Sequence, residues 1–333
     1  CINKKRRRRR NRKRELRIRL TCTALFVLTV IFGIVYFTSS RNRVKHYESE
    51  AYRASVHQAE LFADDLCVPK QDVNFEAFQR NDKFHGALFF DIENQEIVYS
   101  ETVNERLYPA STTKILTAYV ALKYGDLEEY VTVSANAANQ PSDASVCHLK
   151  TGDVLTLRDL LYGLMLSSGN DAAIAIAEYV SGDVDSFVEL MNQEALKMGA
   201  SCTHFENPHG MPGKEHYTSA YDLYLMFANA IQLEEFQEII STKTYNAKIA
   251  ESDGDVKERE WENSNRFING RKDVPDCITV IGGKTGTTGE AGYCLVLLSH
   301  NQLAEPIVSV VLKADGPSNL YLLTGEILSQ FNN

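Results

Sequence analysis

Two residues in the middle of the chain, Ser111 and Lys114, have the spacing and the chemistry of a nucleophile and its base. They lie three residues apart at the start of a predicted helix, and positions three apart share a helix face, so the lysine amine can reach the serine hydroxyl. A serine hydroxyl is a poor nucleophile unless a neighbouring base takes its proton, and lysine is such a base only when burial or a second cation lowers its pKa. The pair therefore predicts covalent catalysis, with an N-cap serine and a surface lysine as the alternative.

A second polar segment, Ser168-Gly169-Asn170, lies between two helical patterns. The glycine lets the backbone bend and present the two polar side chains in one direction. The same residues also suit a simple turn that caps the next helix. The segment therefore indicates either a pair of site residues or an inter-helix turn.

A third segment, Lys284 to Thr287, follows two glycines on a predicted strand. A second cation near Lys114 would lower the pKa of that lysine and would attract a substrate carboxylate. Gly286 leaves room for a substrate backbone along the strand edge, and the amide of Thr287 can join that of Ser111 in an oxyanion hole. A glycine-rich β-turn is the alternative.

The three segments occur together in the order S-x-x-K, S-x-N and K-T-G, which is the signature of penicillin-binding proteins and class A β-lactamases. Longer stretches around them resemble the serine D-Ala-D-Ala carboxypeptidases, the low-molecular-mass penicillin-binding proteins of the peptidase S11 type. The resemblance covers roughly residues 65–333. The stretches that carry it are 109–122 (PASTTKILTAYVAL), 166–173 (LSSGNDAA), 207–211 (NPHGM), 217–223 (YTSAYDL) and 283–295 (GKTGTTGEAGYCL).

This resemblance implies a fold, a reaction and a role for each motif residue. The implied fold is β-lactamase/DD-peptidase-like, and the implied reaction removes the terminal D-alanine from peptidoglycan stem pentapeptides through an acyl-enzyme on Ser111. β-Lactams, which imitate the D-Ala-D-Ala end, are expected to form a long-lived ester there, and no metal or other cofactor is implied. The implied catalytic residues are Ser111, Lys114 as general base and Ser168 as proton relay, and the implied substrate-binding residues are Asn170, Lys284, Thr285, Gly286 and Thr287.

Three other functions remain open at this stage. A serine β-lactamase has the same fold but releases a bound penicillin within seconds. A non-catalytic wall-binding or regulatory homologue would keep the fold without the reaction, although it leaves the survival of all the motif residues unexplained. Endopeptidase action on cross-links is a milder variant of the same chemistry.

Apolar periodicity predicts the elements that carry these residues. Their order is strands, helices, strands and a helix, which is typical of an α/β (α+β) domain with an antiparallel sheet built from both ends of the chain and flanked by a helical cluster. The predicted strands are 86–91, 97–100, 278–281, 293–299 and 307–313, and the predicted helices are 111–124, 157–165, 171–180, 184–198, 219–231 and 318–331.

The chain begins with an unusually basic segment. Residues 1–19 hold twelve of the 35 Lys and Arg and one acidic residue, and eighteen uncharged, mostly apolar residues follow from Leu20. That length is close to the roughly 20 residues needed to cross a bilayer, and a basic flank favours the cytoplasmic side. Nucleic-acid binding and a cleaved signal peptide are the alternatives, and both are less favoured.

These features predict a single-pass protein of the bacterial cell membrane, with its catalytic domain on the extracytoplasmic side. Topology explains the basic segment, so no nucleic acid is expected as a partner. The predicted parts are a basic cytoplasmic tail (1–19), a transmembrane span (20–38), a stalk (39–64) and a DD-peptidase catalytic domain (65–333).

Histidines and cysteines complete the set of reactive side chains. His204, His209 and His216 lie within thirteen residues, but their spacing is not H-E-x-x-H, and no metal site is predicted. The chain has seven cysteines, and those beyond the predicted span show no paired spacing. Free thiols are therefore expected in a domain of this size.

Overall fold

A computed structural model of the protein describes residues 72–74 and 84–331. These residues all belong to one compact unit, Asp64–Asn333. The predicted basic tail (1–19), membrane span (20–38) and stalk (39–64) lie outside the described residues. Within the described part of the chain, no helix combines the length and the apolar character that a bilayer span requires.

A five-stranded antiparallel sheet forms the centre of the fold. In sheet order its strands are β2 (Glu96–Glu101), β1 (Gly86–Asp91), β9 (Pro306–Ala314), β8 (Gly292–His300) and β7 (Thr279–Thr288). Two of these strands come from the start of the described chain and three from its end, which confirms the predicted sheet. β7 is an edge strand, so one side of its backbone has no strand neighbour in this sheet.

Helices pack on both faces of this sheet. The α-helices of the described residues are α1 (Lys114–Tyr124), α2 (Ala135–Ala138), α3 (Leu157–Leu166), α4 (Asn170–Ser181), α5 (Val184–Lys197), α6 (Ala220–Ala230), α7 (Glu234–Ser241) and α8 (Pro317–Leu328), and not all of them touch this sheet. Local capping sets several of their ends. Thr156 and Asp159 form a reciprocal capping box at the start of α3. Gly182, in the left-handed region at φ +86°, ends α4.

Successive side chains of β1 point to opposite faces and so contact different helices. Phe89 belongs to an apolar core that includes Leu320 and Leu323 of α8. Phe90 points the other way and packs on Tyr224 of α6, with the ring centroids 4.5 Å apart. Because both faces of the sheet are covered, its central strands read as nearly continuous apolar runs.

A second antiparallel sheet, of four strands, was not among the predicted elements. Its strands are β3 (Tyr130–Thr132), β4 (Val154–Thr156), β5 (Thr244–Ala250) and β6 (Val256–Glu262). The rings of Tyr162 in α3 and Tyr245 in β5 stack with centroids 3.7 Å apart, and Trp261 in β6 stacks on Tyr245. This aromatic stack joins the β5–β6 hairpin to the helical cluster.

The predicted helix over 111–124 begins three residues later than expected. Residues Ala110–Thr113 form a 3-10 turn, and α1 starts at Lys114. The Thr112 hydroxyl donates to the carbonyl of Pro109 at 2.7 Å, and the Thr113 hydroxyl donates to that of Ala110 at 2.9 Å. Such side-chain bonds to nearby carbonyls compete with the α-helical pattern, so the turn stays tight.

Candidate active site

Ser111 lies in the 3-10 turn before α1, and its side chain is half-buried. The turn opens with Ala110 at φ +48°, a conformation that residues other than glycine rarely adopt. Backbone strain of this kind persists only where the surroundings hold it, and it is frequent at active sites. Strand β7 presses against the turn, because a Cβ added to Gly286 would lie 3.0 Å from the Ser111 backbone nitrogen.

The Lys114 side chain is fully buried beside this serine. Its Nζ lies 3.0 Å from Ser111 Oγ, 2.8 Å from Asn170 Oδ1 and 2.7 Å from the His209 carbonyl oxygen. Burial, and then the charge of Lys284, hold the pKa of Lys114 well below its usual range. A neutral amine has two N–H groups and one lone pair. Asn170 Oδ1 and His209 O can only accept hydrogen bonds, so the lone pair is left to face the Ser111 hydroxyl.

Ser168 and Asn170 approach the site from the turn between α3 and α4. Ser168 is buried and has φ +59°, so this turn also contains a strained non-glycine residue. The conformation of the turn is fixed by the neighbouring loop, because the Asn170 backbone N–H donates to Ser145 O at 2.8 Å. The buried Asp171 carboxylate accepts from the backbone N–H of Cys147 at 2.9 Å. These bonds hold the 145–149 loop against the turn that presents both side chains.

Lys284 enters the site from β7 and is also fully buried. Its Nζ donates to Ser168 Oγ at 3.1 Å and to the Thr285 carbonyl at 3.0 Å. Burial lowers the pKa of Lys284 to about 7. The two lysines therefore divide their contacts, since Lys114 is bonded to the Ser111 hydroxyl and Lys284 to the Ser168 hydroxyl.

The remaining predicted residues continue along the same strand. Thr285 is partly exposed, Gly286 is buried against the 3-10 turn, and Thr287 is exposed. The structure thus places the predicted catalytic and substrate-binding residues where β7, the 3-10 turn and the α3–α4 turn meet. An activated hydroxyl, a second hydroxyl beside an amine and an open strand edge are the parts required for acyl transfer to serine. The individual roles of these residues stay predictions.

A loop formed by residues 207–211 supplies contacts that the motif analysis missed. The Thr117 hydroxyl of α1 donates to Pro208 O at 2.6 Å, and His209 O accepts from Lys114. The Asn207 side chain closes the loop on itself by accepting from the Gly210 N–H at 2.7 Å. A backbone carbonyl that binds the base leaves no signal in side-chain identity, so the sequence could not reveal this contact.

Ser264 is the other missed residue. In the structure the Ser264 hydroxyl lies 2.8 Å from Thr285 Oγ1, in an exposed position. Its backbone is fixed because its N–H donates to Leu166 O at 3.0 Å, at the end of α3. Ser264 therefore orients the threonine that is predicted to bind a substrate carboxylate.

Comparison with known families agrees with this geometry. The family model for D-alanyl-D-alanine carboxypeptidase, peptidase S11, matches residues 77–316. The chain belongs to the peptidase S11 family. This confirms the resemblance on which the predicted fold and motif residues rest. Of the two groups that share the three motifs, the match therefore favours the S11 peptidases over the class A β-lactamases.

The alignments of this chain with individual S11 relatives cover different shares of those proteins. The D-alanyl-D-alanine carboxypeptidase DacF of Bacillus subtilis is 35% identical over 216 residues, which are 63% of this chain and 52% of that protein. A D-alanyl-D-alanine carboxypeptidase of Streptomyces sp. strain K15 is 36% identical over 213 residues, 60% of this chain and 70% of the relative. The chain thus spans about half the length of the Bacillus S11 protein.

Among solved structures, the Streptomyces K15 DD-transpeptidase has the same fold as this S11 chain. It superposes with a TM-score of 0.69 at 28% sequence identity. The match covers 77% of this chain and 98% of the Streptomyces protein. The antiparallel sheet and the flanking helices are therefore those of a DD-peptidase.

Proposed function

We propose that this chain is a serine-type D-alanyl-D-alanine carboxypeptidase that removes the terminal D-alanine from peptidoglycan stem pentapeptides. One observation carries the proposal. The buried Lys114 amine lies 3.0 Å from Ser111 Oγ, and its lowered pKa leaves it able to accept the serine proton. Membership of the S11 family and the names of the relatives support peptides ending in D-Ala-D-Ala as the substrate class.

Acylation begins when Lys114 takes the proton of the Ser111 hydroxyl. Ser111 Oγ then forms a bond to the carbonyl carbon of the penultimate D-alanine, and the carbonyl oxygen becomes an oxyanion. The backbone N–H groups of Ser111 and Thr287 stabilise that oxyanion. As the C–N bond breaks, Ser168 relays to the nitrogen of the scissile amide the proton that Lys114 took, which returns Lys114 to its neutral form. Free D-alanine leaves, and the rest of the peptide remains as an ester on Ser111.

Binding of the peptide uses the open edge of β7. Lys284 and Thr285 hold the terminal carboxylate, and Asn170 holds the peptide on the acyl side of the scissile bond. Since Gly286 lies opposite Ser111, the acyl part of the substrate runs from Thr287 towards the end of the strand. A cavity of about 590 Å³ opens there, and it includes Glu290 and Asp315 in its lining. This cavity gives the preceding residues of the stem peptide room to bind.

Water completes the cycle by hydrolysing the Ser111 ester. A β-lactam forms the same ester but keeps its leaving group attached, so the acyl-enzyme persists. A serine β-lactamase would instead turn penicillin over within seconds, and a non-catalytic homologue would form no ester at all. The rate at which bound penicillin leaves therefore separates these functions.

The test compares the wild-type protein with the S111A variant. We expect mass spectrometry after incubation with penicillin to show one adduct on the wild-type protein and none on the variant. We also expect the wild-type protein to release D-alanine from a pentapeptide ending in D-Ala-D-Ala, and the variant to release none. An adduct that persists in the variant would move the nucleophile elsewhere, and absence of both signals in the wild type would refute the proposal.

We also propose that the protein is anchored in the bacterial cell membrane through residues 20–38. The basic residues of 1–19 and the uncharged run from Leu20 support this topology, with residues 39–64 as a stalk on the extracytoplasmic side. Protease added to intact spheroplasts should then degrade the catalytic part while an epitope at the N-terminus stays protected. Full protection of both ends would contradict this orientation.

A further inference from the structure

His216 is a buried histidine that no motif of the reaction includes. Only 1% of its surface is exposed. Its ring is fixed by two polar contacts, because Nδ1 accepts from the Glu206 backbone N–H at 3.0 Å and Nε2 lies 3.0 Å from Thr113 Oγ1. The Phe205 ring packs edge-on against it, with the centroids 5.4 Å apart. The ring is thus held in one orientation behind the turn that carries Ser111.

These contacts determine which ring nitrogen carries the proton. A backbone N–H can only donate, so Nδ1 of His216 must be the unprotonated nitrogen. The neutral ring then carries its proton on Nε2, and this N–H donates a hydrogen bond to Thr113 Oγ1. Burial, followed by the nearby His204, lowers the pKa of His216 to about 4, which keeps the ring neutral at neutral pH.

The chain of hydrogen bonds ends on Ala110, the strained residue of the 3-10 turn that contains Ser111. Because Thr113 Oγ1 accepts a hydrogen bond from His216 Nε2–H, its own O–H is free to donate to the Ala110 carbonyl, 2.9 Å away. Ala110 has φ +48° and directly precedes Ser111. Thr113 in turn directly precedes Lys114. Through Thr113, a single neutral imidazole therefore fixes the backbone on both sides of Ser111 and directly before Lys114.

We propose that His216 is a positioning residue for acylation, acting through Thr113 on the turn that aims Ser111. The inference rests on the proposed function, because it assigns His216 a part in forming the Ser111 ester. His216 itself does not touch the substrate. Its contribution is to keep the Ser111 hydroxyl facing Lys114 and the Ser111 N–H facing the oxyanion.

Kinetic variants test the hydrogen-bond chain. We expect T113V and H216F to lower the rate constant of Ser111 acylation by a fluorescent penicillin by on the order of 10- to 100-fold, with the affinity of the preceding non-covalent complex unchanged. T113S keeps the hydroxyl and should stay within about threefold of wild type. T324V removes another buried threonine hydroxyl, on α8. H204F changes an exposed histidine close to His216. Both controls should be acylated at the wild-type rate.

The proposal would be overturned if T113V and H216F were acylated at the wild-type rate. It would also be overturned if T113S lost as much of the acylation rate as T113V. NMR of imidazole ¹⁵N in the full-length wild-type protein gives a second readout that needs no variant. We expect His216 to carry its proton on Nε2 and to show no titration between pH 5 and pH 8. A proton on Nδ1, or a pKa near the ordinary value of about 6.5, would reject the role even if the variants do not fold. A wild-type protein that forms no penicillin ester but shows the Nε2 tautomer would refute the proposed function and leave the hydrogen-bond chain intact.

Discussion

At the residue scale, the site uses two lysines whose surroundings give them different protonation. Lys114 has its pKa held well below the usual range by burial and then by the charge of Lys284, whereas burial alone lowers the pKa of Lys284 to about 7. Separation of the pKa values of two neighbouring groups assigns them to different tasks. Lys114 therefore suits the role of base, and Lys284 keeps a substantial charged fraction for a carboxylate near neutral pH.

The charge of Lys284 leads to a prediction about pH. As the pH rises through about 7, the free enzyme loses this charge, so kcat/KM for a peptide with a free terminal carboxylate should fall. In the K284R variant the guanidinium stays charged, and the alkaline fall should disappear, whatever the absolute rate. Steady-state kinetics from pH 5.5 to pH 9 measure both profiles. The matched control is the same peptide with an amidated C-terminus, which should lack the fall, and an unchanged profile in K284R would contradict the assignment.

The contact between Ser264 and Thr285 leads to a second prediction at this scale. Because the two hydroxyls lie 2.8 Å apart, removing one frees the other to rotate away from the substrate carboxylate. We expect S264A to raise KM about three- to tenfold, the range for the loss of one hydrogen bond between neutral groups, with a smaller change in kcat. S264T keeps the hydroxyl and should resemble wild type. An unchanged KM in S264A would show that Thr285 is oriented by other contacts.

How well the site residues could be predicted depends on how each one acts. Ser111, Lys114 and Lys284 belong to short motifs of fixed internal spacing, so a single sequence is enough to propose them as site residues. His209 contributes a backbone carbonyl, which any residue carries. His216 acts through Thr113, a contact between residues 103 positions apart that only the folded chain brings together.

At the element scale, the 207–211 loop and the 3-10 turn fit together without spare volume. Gly210 has φ +94°, and a Cβ placed on it would lie 1.8 Å from the Ala110 carbonyl oxygen. Neither side can yield easily, because the loop is bonded to α1 through Thr117 and the turn leads directly into that helix. Shape at this point is therefore set by two backbones in contact.

This packing makes G210A a sharp test. We expect the added methyl group to push the loop away from the turn and to break the bond between Lys114 and His209 O, so that penicillin acylation falls by on the order of 100-fold. G254A is the matched control, because Gly254 also has a positive φ (+93°) but has nothing within 4 Å of the added carbon. That control should lose only about 1 kcal/mol of stability from backbone strain and keep its acylation rate. Equal acylation by the two variants would show that the close approach is not needed.

Prediction of the elements succeeded where local signals agreed. Helix α3 combines an apolar stripe with the Thr156–Asp159 capping box, and its predicted bounds differ from the observed ones by one residue. The β5–β6 hairpin gives a weaker signal, because only β5 alternates apolar and polar residues, while β6 reads VKEREWE and buries Trp261 alone. Its strands form by pairing with each other and by aromatic stacking on α3, and these contacts do not repeat along the sequence.

At the scale of the whole molecule, the site lowers the stability of the fold. Placing an ammonium group in a buried site costs free energy, and this cost appears as a lowered pKa. Lys284 is 1% exposed and has a pKa of about 7 in the folded protein, against an ordinary value of 10.5. Since a tenfold change in proton affinity corresponds to about 1.4 kcal/mol, burial of Lys284 as a cation costs on the order of a few kcal/mol.

The stability of the K284M variant should therefore exceed that of the wild type, even though its activity is lost. We expect the midpoint of thermal unfolding at pH 7 to rise by about 5–10 °C, with part of the gain offset because Ser168 Oγ loses its partner. Between pH 7 and 10.5 the unfolded chain binds more protons at Lys284 than the folded chain does, so the wild type gains stability as the pH rises. The advantage of K284M should thus be largest below pH 7 and vanish near pH 10.5, as measured by denaturant unfolding. K248M, at an exposed lysine of β5, is the control and should change little, and a K284M midpoint at or below that of wild type would mean that the Ser168 bond outweighs the cost of burial.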